Sequence, residues 1–599
     1  MRTAKPLPVS LVPSSRNNPL PAASLLAAVL VLGATGCGAA AQPGNFPTRD
    51  ELFKLASGPA PQRVFNRGAV DADSFELTAP LPDSADGSEV EAETPWQKLL
   101  RGAVASRPGL VVASRATDCA ARQVAAFVAA KNALPAEPLV RFIAGRCGVP
   151  SDTLAMAYRT IEVPESTPES ELYDKWSAGM KTDIGEMLGA GSRSAGIAFA
   201  RSGKLAAVTI VSARRTVHLE KLPLVPVDGK VVLKGELLTP AESIRALVTR
   251  GRFGFEVCIK DIEVNLPRFT IECPVSAEDP SAQIEVAAFP AGRELGEHVV
   301  DLRVYPAGTL EQTYTRRPAD EAEKAPEGGP ALLAALLGQV NAVRKEAGMA
   351  DVRASEAQNR TAAQLAPFYF AALNGNLDAT VADKVALGLL AGWDVGGDVR
   401  EGHFASRSTG QRSPAALVDS VIASPFGRET LLDPAVSVIA MGTVTGEDRL
   451  GTVFSTYSMF GTTVTADAAP SVLARLTKLR GKIKRAAPTP VPELDPALAD
   501  TVARVQNGLS LDEALGNLTK KSAEAVPGSR VSAWVVTTPS VEKLELPSET
   551  LAKPSLRLGV GVARYKPEGA PWTKLAVFFV VVEEPVMNNT ARGPAGSVL

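Results

Sequence analysis

Side chains able to carry chemistry are sparse in this sequence. Its 599 residues include three histidines, His218, His298 and His403, and five cysteines. His218 and His298 stand in strand-like runs of one unit and His403 in another, so the three imidazoles do not make a cluster. A satisfied structural role is the expectation for the first two. A carboxylate and an imidazole stand two residues apart at Glu401 and His403. Such a pair could polarise water, but a zinc ion needs three or four protein ligands. The sequence has no glycine-x-serine-x-glycine elbow, phosphate-binding glycine loop, Cys-x-x-Cys pair or His-Glu-x-x-His run. Glu583-Glu584, and Asp118 with its neighbours, read as solvated charges. No catalytic residue, metal or cofactor is expected.

Cys37 is the exception. Residues 1–18 carry only the basic charges Arg2, Lys5 and Arg16, and an apolar run follows from Leu20 through Gly33. That is the layout of an export signal, too short for a spanning helix of about 20 apolar residues. The run ends in Ala34-Thr35-Gly36-Cys37. This resembles the bacterial lipobox, which implies diacylglycerol on Cys37, fatty acyl chains of the palmitate kind, and cleavage before it. Gly38 stands where an aspartate would signal inner-membrane retention, which points to the outer membrane. Four cysteines remain, Cys119, Cys147, Cys258 and Cys273, an even number that suits an oxidising compartment. Four allow three pairings; Cys119 with Cys147 and Cys258 with Cys273 each stay inside one apparent unit.

A hydrophobic content of 45% over this length supports several cores, at roughly 100–200 residues per domain. Basic and acidic residues balance, 63 against 65, so no overall field draws the chain to nucleic acid. Leu575 to Val582 reads as a buried strand.

Residues 37–94 are rich in Pro, Ala, Asp, Ser and Gly and read as a flexible tether after the signal at 1–36. Residues 95–215 open with helices around Val124, Phe127, Leu139 and Ile143 and end in two strands, an α/β domain. Residues 216–308 hold seven short alternating strands, an immunoglobulin-like sandwich. In its last strand Val300, Leu302 and Val304 face the core while Asp301 and Arg303 face water. A linker over 309–330 leads to helices carrying Leu333, Leu336, Leu337, Val340 and Val343, then Ser355 with Gln358 as a capping pair. That block, 331–465, closes with strands. A basic, Pro-rich linker over 466–496, carrying Arg475, Lys478, Arg480, Lys482, Lys484 and Arg485, reads as solvated. A last α/β domain spans 497–586, before a disordered tail at 587–599.

Within 331–465 two segments resemble the CAP (SCP-like) superfamily of cysteine-rich secretory and pathogenesis-related proteins. They are Gln339 through Gly348, like the family's opening helix, and Ser424-Pro425-Phe426-Gly427-Arg428 through Pro434, like its serine-proline run before the final strands. The resemblance covers about 331–460. It implies an α-β-α sandwich and a cleft lined by two histidines and two acids that could bind a metal or polarise water. Gly427 stands in the serine-proline run where a histidine is expected, and Phe368 to Leu377 contains none. Glu401, His403, Ser424 and Arg428 are therefore the candidate cleft, expected to lack chemistry.

Ala195–Ala200, Val438–Gly442 and Leu558–Ala563 are similar block endings. Three divergent copies of one helices-then-hairpin unit would explain them, as would the common habit of α+β domains to end in such hairpins. The fold class expected is multidomain α+β, CAP-like units plus one immunoglobulin-like sandwich. The function expected is a non-enzymatic envelope lipoprotein, membrane-bound through Cys37, that binds an envelope polymer, lipid or protein. An envelope hydrolase using Glu401 and His403, and a purely architectural role, are the rivals.

Overall fold

The computed structural model describes residues 46–583 apart from 66–68, 86–87, 89–92, 106–109, 152–153, 190–191, 262, 292, 294, 317–325, 327–328, 447–448, 462–467, 543, 545 and 547. The signal at 1–36, Cys37 and the tail at 587–599 lie outside the described residues. No helix among those described is long and apolar enough to cross a membrane. The chain is a multidomain α+β protein whose described residues form two compact units, 46–395 with 402–457, and 396–401 with 458–583.

The first unit begins with α1 (Arg49–Ala56), started by a Thr48–Glu51 capping box. Three short strands follow, β1 (Ala69–Val70), β2 (Ser74–Glu76) and β3 (Ser84–Ala85). The next module contains α2 (Pro95–Val104), β4 (Val111–Ala113), α3 (Arg115–Lys131), β5 (Leu134–Pro135), α4 (Glu137–Arg146), β6 (Leu154–Glu162), α5 (Glu169–Leu188), β7 (Arg193–Ser202) and β8 (Leu205–Arg214). Its sheet has the order β4-β7-β8-β6, with β4 parallel to β7 and the other pairs antiparallel. The β7–β8 hairpin alternates with period two, and both faces are covered. Ala198, Ala207 and Val211 pack with α3 and α4, and Ile197, Val208 and Ile210 with α2 and α5. A disulfide joins Cys119 of α3 to Cys147 after α4.

The sandwich comprises β9 (Val217–Leu219), β10 (Leu222–Pro223), β11 (Lys230–Leu237), β12 (Ser243–Arg250), β13 (Gly254–Val257), β14 (Ile259–Lys260), β15 (Arg268–Pro274), β16 (Ala282–Phe289) and β17 (Glu297–Val304), with β18 (Thr313–Thr315) after it. Antiparallel sheets β14-β15-β11-β9 and β13-β12-β16-β17 enclose one core that includes Leu233, Val248, Phe269, Ile284 and Leu302. Cys258 lies where the chain leaves one sheet for the other, and its disulfide to Cys273 fastens that crossing.

The next module contains α6 (Gly329–Glu346), β19 (Arg353–Ala354), α7 (Glu356–Leu373), α8 (Ala379–Ala391), β20 (Val399–Thr409), α9 (Pro414–Ile422), α10 (Pro425–Leu432), β21 (Val436–Thr445) and β22 (Leu450–Met459). Its sheet order is β19-β21-β22-β20. One face packs on α6, α9 and α10 and the other on α7 and α8.

The second unit holds α11 (Ala468–Lys482), β23 (Thr489–Pro490), α12 (Asp495–Gln506), α13 (Leu511–Ala525), β24 (Arg530–Thr538), α14 (Ser548–Ala552), β25 (Arg557–Tyr565) and β26 (Lys574–Glu583), with sheet order β23-β25-β26-β24. In β26 Phe578 and Val580 pack with α12 and α13, while Val577 and Phe579 face the α11 layer. That two-sided burial is why 575–582 is an unbroken apolar run.

The three helix-covered sheets thus share one strand order: a two- or three-residue edge strand parallel to the first strand of a hairpin, then the hairpin, then a second edge strand beside the hairpin's other strand. In each, the helix after the short strand lies directly on hairpin glycines. A Cβ on Gly196 would sit 2.3 Å from Thr117 O, one on Gly442 2.1 Å from Ala362 O, and one on Gly559 2.7 Å from Leu498 Cδ1. Two modules also share a buried arginine. Arg344, 0% exposed, donates to the carbonyls of Ala350, Leu431, Asp433 and Val436, and Arg480, also 0% exposed, to those of Ala486, Leu551, Lys553 and Pro554. In both, Nε bonds the carbonyl six residues on, closing the loop after the helix.

Several boundaries read from composition are corrected. The described part of the presumed flexible tether is packed: Leu52 is buried with α7 and α8, Trp393 Nε1 donates to Pro47 O at 3.0 Å, and Arg49 pairs with Asp394 at 2.7 Å. β1, β2 and β3 pair with β5, β18 and β10. A few apolar anchors in a polar segment suffice, because Gly388 leaves room for Leu52, whose Cδ1 would lie 2.4 Å from a Cβ there. Thr313–Thr315 of the presumed linker over 309–330 is strand β18, and much of the rest lies outside the described residues. The basic linker over 466–496 contains α11 and β23, part of the last module, with Val472 and Leu476 in its core and Arg480 buried rather than solvated.

Candidate functional site

Strand β20 carries Glu401 and His403 on alternate positions of one face. Glu401 is partly exposed, whereas His403 is 9% exposed. Its Nε2 has no hydrogen-bond partner among the described residues and lies 4.0 Å from Asp433 Oδ2, just beyond the end of α10. His403 is therefore a buried residue beside a carboxylate rather than part of a surface loop. Ser424 stands at the other end of α10. Nine residues at 1.5 Å of rise put Asp433 roughly 13 Å further along, so the candidate residues do not converge.

Ser424 and Arg428 serve the joint between this module and the sandwich. Ser424 Oγ caps α10, accepting from Gly427 N–H at 3.0 Å. Arg428, 8% exposed, donates to Ile422 O at 2.7 Å and, across the joint, to Arg250 O at 3.3 Å, Gly251 O at 3.0 Å and Gly254 O at 2.5 Å. Its guanidinium is thereby committed to backbone carbonyls, and burial lowers its pKa to about 10. Arg245 of β12 adds a bidentate pair with Glu429. The expectation that Arg428 lines an open cleft is corrected: it pins the turn between β12 and β13. Gly427 is equally committed, since a Cβ there would lie 1.9 Å from Val421 O.

The polar site that does form was not anticipated. A cavity of about 200 Å³ lies where α4, the outer face of β16 and β17, and the β20–α10 segment meet. Glu285 and Asp301, opposite each other on β16 and β17, line it with Gln283, Arg303 and Ser424. Asp301 is 7% exposed and Glu285 1%, so the expectation that Asp301 faces water is corrected. Alternation placed it on the outer face correctly, but two further modules cover that face. No cue short of inter-module packing marks these acids.

Asp118 likewise is 6% exposed rather than solvated. Its carboxylate accepts from Gln97 Nε2 at 3.1 Å and pairs with Arg122 at 3.3 Å, and burial raises its pKa against both partners. His218 contacts Arg215 through Nδ1 at 3.2 Å, and His298 stacks edgewise on Phe426 with ring centroids 5.2 Å apart. No group of three or more His, Cys, Asp or Glu side chains among the described residues could share a metal ion.

No family model matches the chain, and no curated protein is similar to it. Among solved structures it is similar to a cysteine-rich secretory protein from Staphylococcus aureus subsp. aureus Mu50. The identity is 14%, the match covers 41% of this chain and 83% of that one, and the TM-score is 0.17.

Proposed function

We propose that this chain is an exported lipoprotein, anchored to a bacterial envelope membrane through Cys37, whose CAP-like modules bind or build rather than catalyse. The observation that carries the non-catalytic reading is the state of the serine-proline run. The position at which the resemblance expects a histidine is Gly427, closed to any side chain by Val421 O at 1.9 Å from a Cβ. Its neighbour Arg428 spends its donors on backbone carbonyls. Shared sheet order and glycine seats support reading the three modules as copies of one unit, and the buried arginines Arg344 and Arg480 add to it for two of them. The lipid anchor rests on the leader and the small residues before Cys37; Gly38 favours the outer membrane, and the partner would be an envelope polymer, lipid or protein. Palmitate labelling of the chain expressed in a Gram-negative host tests the anchor: label and membrane fractionation are expected for the wild type and lost in Cys37→Ala. An unlabelled wild type would end this part of the proposal.

The rival, an envelope hydrolase, draws on His403 Nε2 standing 4.0 Å from Asp433, a base-and-orienter arrangement. Hydrolysis of peptidoglycan or casein by the purified chain, lost in His403→Ala, would favour it.

A further inference from the structure

From Ala468 to Pro492 the chain carries Arg475, Lys478, Arg480, Lys482, Lys484 and Arg485 and no acidic residue. Arg480 is buried and Arg475 half-buried, but Lys478, Lys482, Lys484 and Arg485 are exposed. Among the described residues none of these four forms an ion pair, whereas Lys553, whose carbonyl Arg480 holds, is committed to Glu583. Lys478 and Lys482 stand at i and i+4 on α11, a like-charge spacing that weakens a helix.

The turn that presents the last three cations is held in one shape. Arg485 N–H donates to Arg480 O at 2.9 Å, Lys484 N–H to Gly481 O at 3.1 Å, and Arg480 Nε to Ala486 O at 2.6 Å. Lys484 has a φ of 56°, a left-handed conformation that glycine adopts readily and lysine only at a cost. The turn after α6 makes the same bonds, Met349 N–H to Arg344 O at 2.8 Å and Gly348 N–H to Lys345 O at 3.0 Å, and its left-handed residue is Gly348, with a φ of 74°. That turn has Glu346 and Ala347 where this one has Lys482 and Ile483. Ile483 is 49% exposed. A helix C-terminus favours a cation in its last turn, which accounts for Lys482 but not for an isoleucine in water or a lysine where glycine fits.

We propose that this corner of the second unit docks on the surface of an anionic lipid bilayer. Lys478, Lys482, Lys484 and Arg485 meet lipid phosphates, and Ile483, between two of them in the turn, enters the apolar boundary beneath the headgroups. The exposed isoleucine favours a bilayer over a soluble polyanion, which gives cations a partner but offers an apolar side chain nothing to enter. The contact needs no lipid on Cys37, and a test made without that cysteine can fail while the anchor stands.

Co-sedimentation of the full chain carrying Cys37→Ala with vesicles of equal parts phosphatidylglycerol and phosphatidylcholine tests it, against vesicles of phosphatidylcholine alone. Binding to the anionic vesicles should exceed binding to the neutral ones by at least about tenfold and fall as salt is added. Lys482→Gln with Lys484→Gln should weaken it by about 25-fold, at about fivefold for each cation near a charged surface. The same loss of charge in Lys175→Gln with Lys181→Gln, exposed lysines of α5, should leave binding within about twofold. Ile483→Ser should weaken binding to anionic vesicles severalfold. Equal binding to both vesicles, or no greater loss from the α11 pair than from the α5 pair, would overturn the proposal. So would binding unchanged by Ile483→Ser, which together with binding to soluble polyphosphate would mark a polyanion site instead. The comparison of lipids leaves the whole basic corner intact, so it does not depend on a surface variant.

Discussion

Replacing Arg344 by methionine removes a guanidinium while keeping much of its apolar stem. Four carbonyl oxygens would lose a donor, those of Leu431 at 2.6 Å, Ala350 at 2.8 Å, and Asp433 and Val436 at 3.2 Å each. A hydrogen bond to a charged group contributes about 1.5–3 kcal/mol net, and a buried acceptor left unpaired costs about 1–3 kcal/mol. The four do not sum, because burial of the guanidinium itself costs several kcal/mol that methionine avoids. A loss of about 3–5 kcal/mol is the expectation, as for breaking a buried charge network. Against a typical stability of about 5–15 kcal/mol that is severe. A chain of several modules does not unfold in one step, so the assay is peptide-resolved hydrogen exchange. Protection should fall in α6, α10 and the start of β21. Arg480→Met should do the same for α11, α14 and the start of β25, since its four carbonyl contacts follow the same plan. A cost below about 1 kcal/mol in Arg344→Met would refute the clamp.

Gly427→Ala should destabilise by about 1–3 kcal/mol or more, read as a drop in melting temperature, because the Cβ would enter the space of Val421 O. Asp118 has a raised folded-state pKa, so the stability it contributes is complete below its ordinary pKa of 3.8 and is lost as pH rises through the folded value. Asp118→Asn should remove that slope and leave the first module at least as stable at neutral pH, checked by urea titrations across the acidic range. Reduction of Cys119–Cys147, with a sequence separation of 28, should cost about 3–4 kcal/mol, visible as lost exchange protection in α3 and α4.

Much of the fold is legible in the sequence because its signals are local. The strand runs of 217–305 have period two and turns between them, and seven of the strands β9 to β17 lie on the seven expected, while the two-residue strands β10 and β14 were not foreseen. Ser355 caps α7, accepting from Gln358 N–H at 3.4 Å, and each disulfide joins residues of one apparent unit. The glycines in the block endings showed a shared pattern whose cause, helix backbone or leucine pressed onto the hairpin, needs coordinates. What sequence missed is decided by neighbours far along the chain. Leu52 is buried by α7 and α8, some 300 residues on, and Arg480 looks like one more charge in a basic run until its carbonyl cage closes. Glu285 and Asp301 read as outward residues of a sandwich, and only docking of α4 and α10 against that face makes them a site. The spread of Glu401, His403, Ser424 and Arg428 along α10 and β20 has the same origin: motif proximity in sequence does not fix convergence in space.

The most direct test of the proposed role, modules that bind without catalysing, compares the purified wild-type chain with His403→Ala and Asp433→Asn on peptidoglycan and on casein, with product release followed by mass spectrometry. A binding role that does not involve catalysis predicts no turnover by any of the three. Product formed by the wild type and lost in either variant would contradict it.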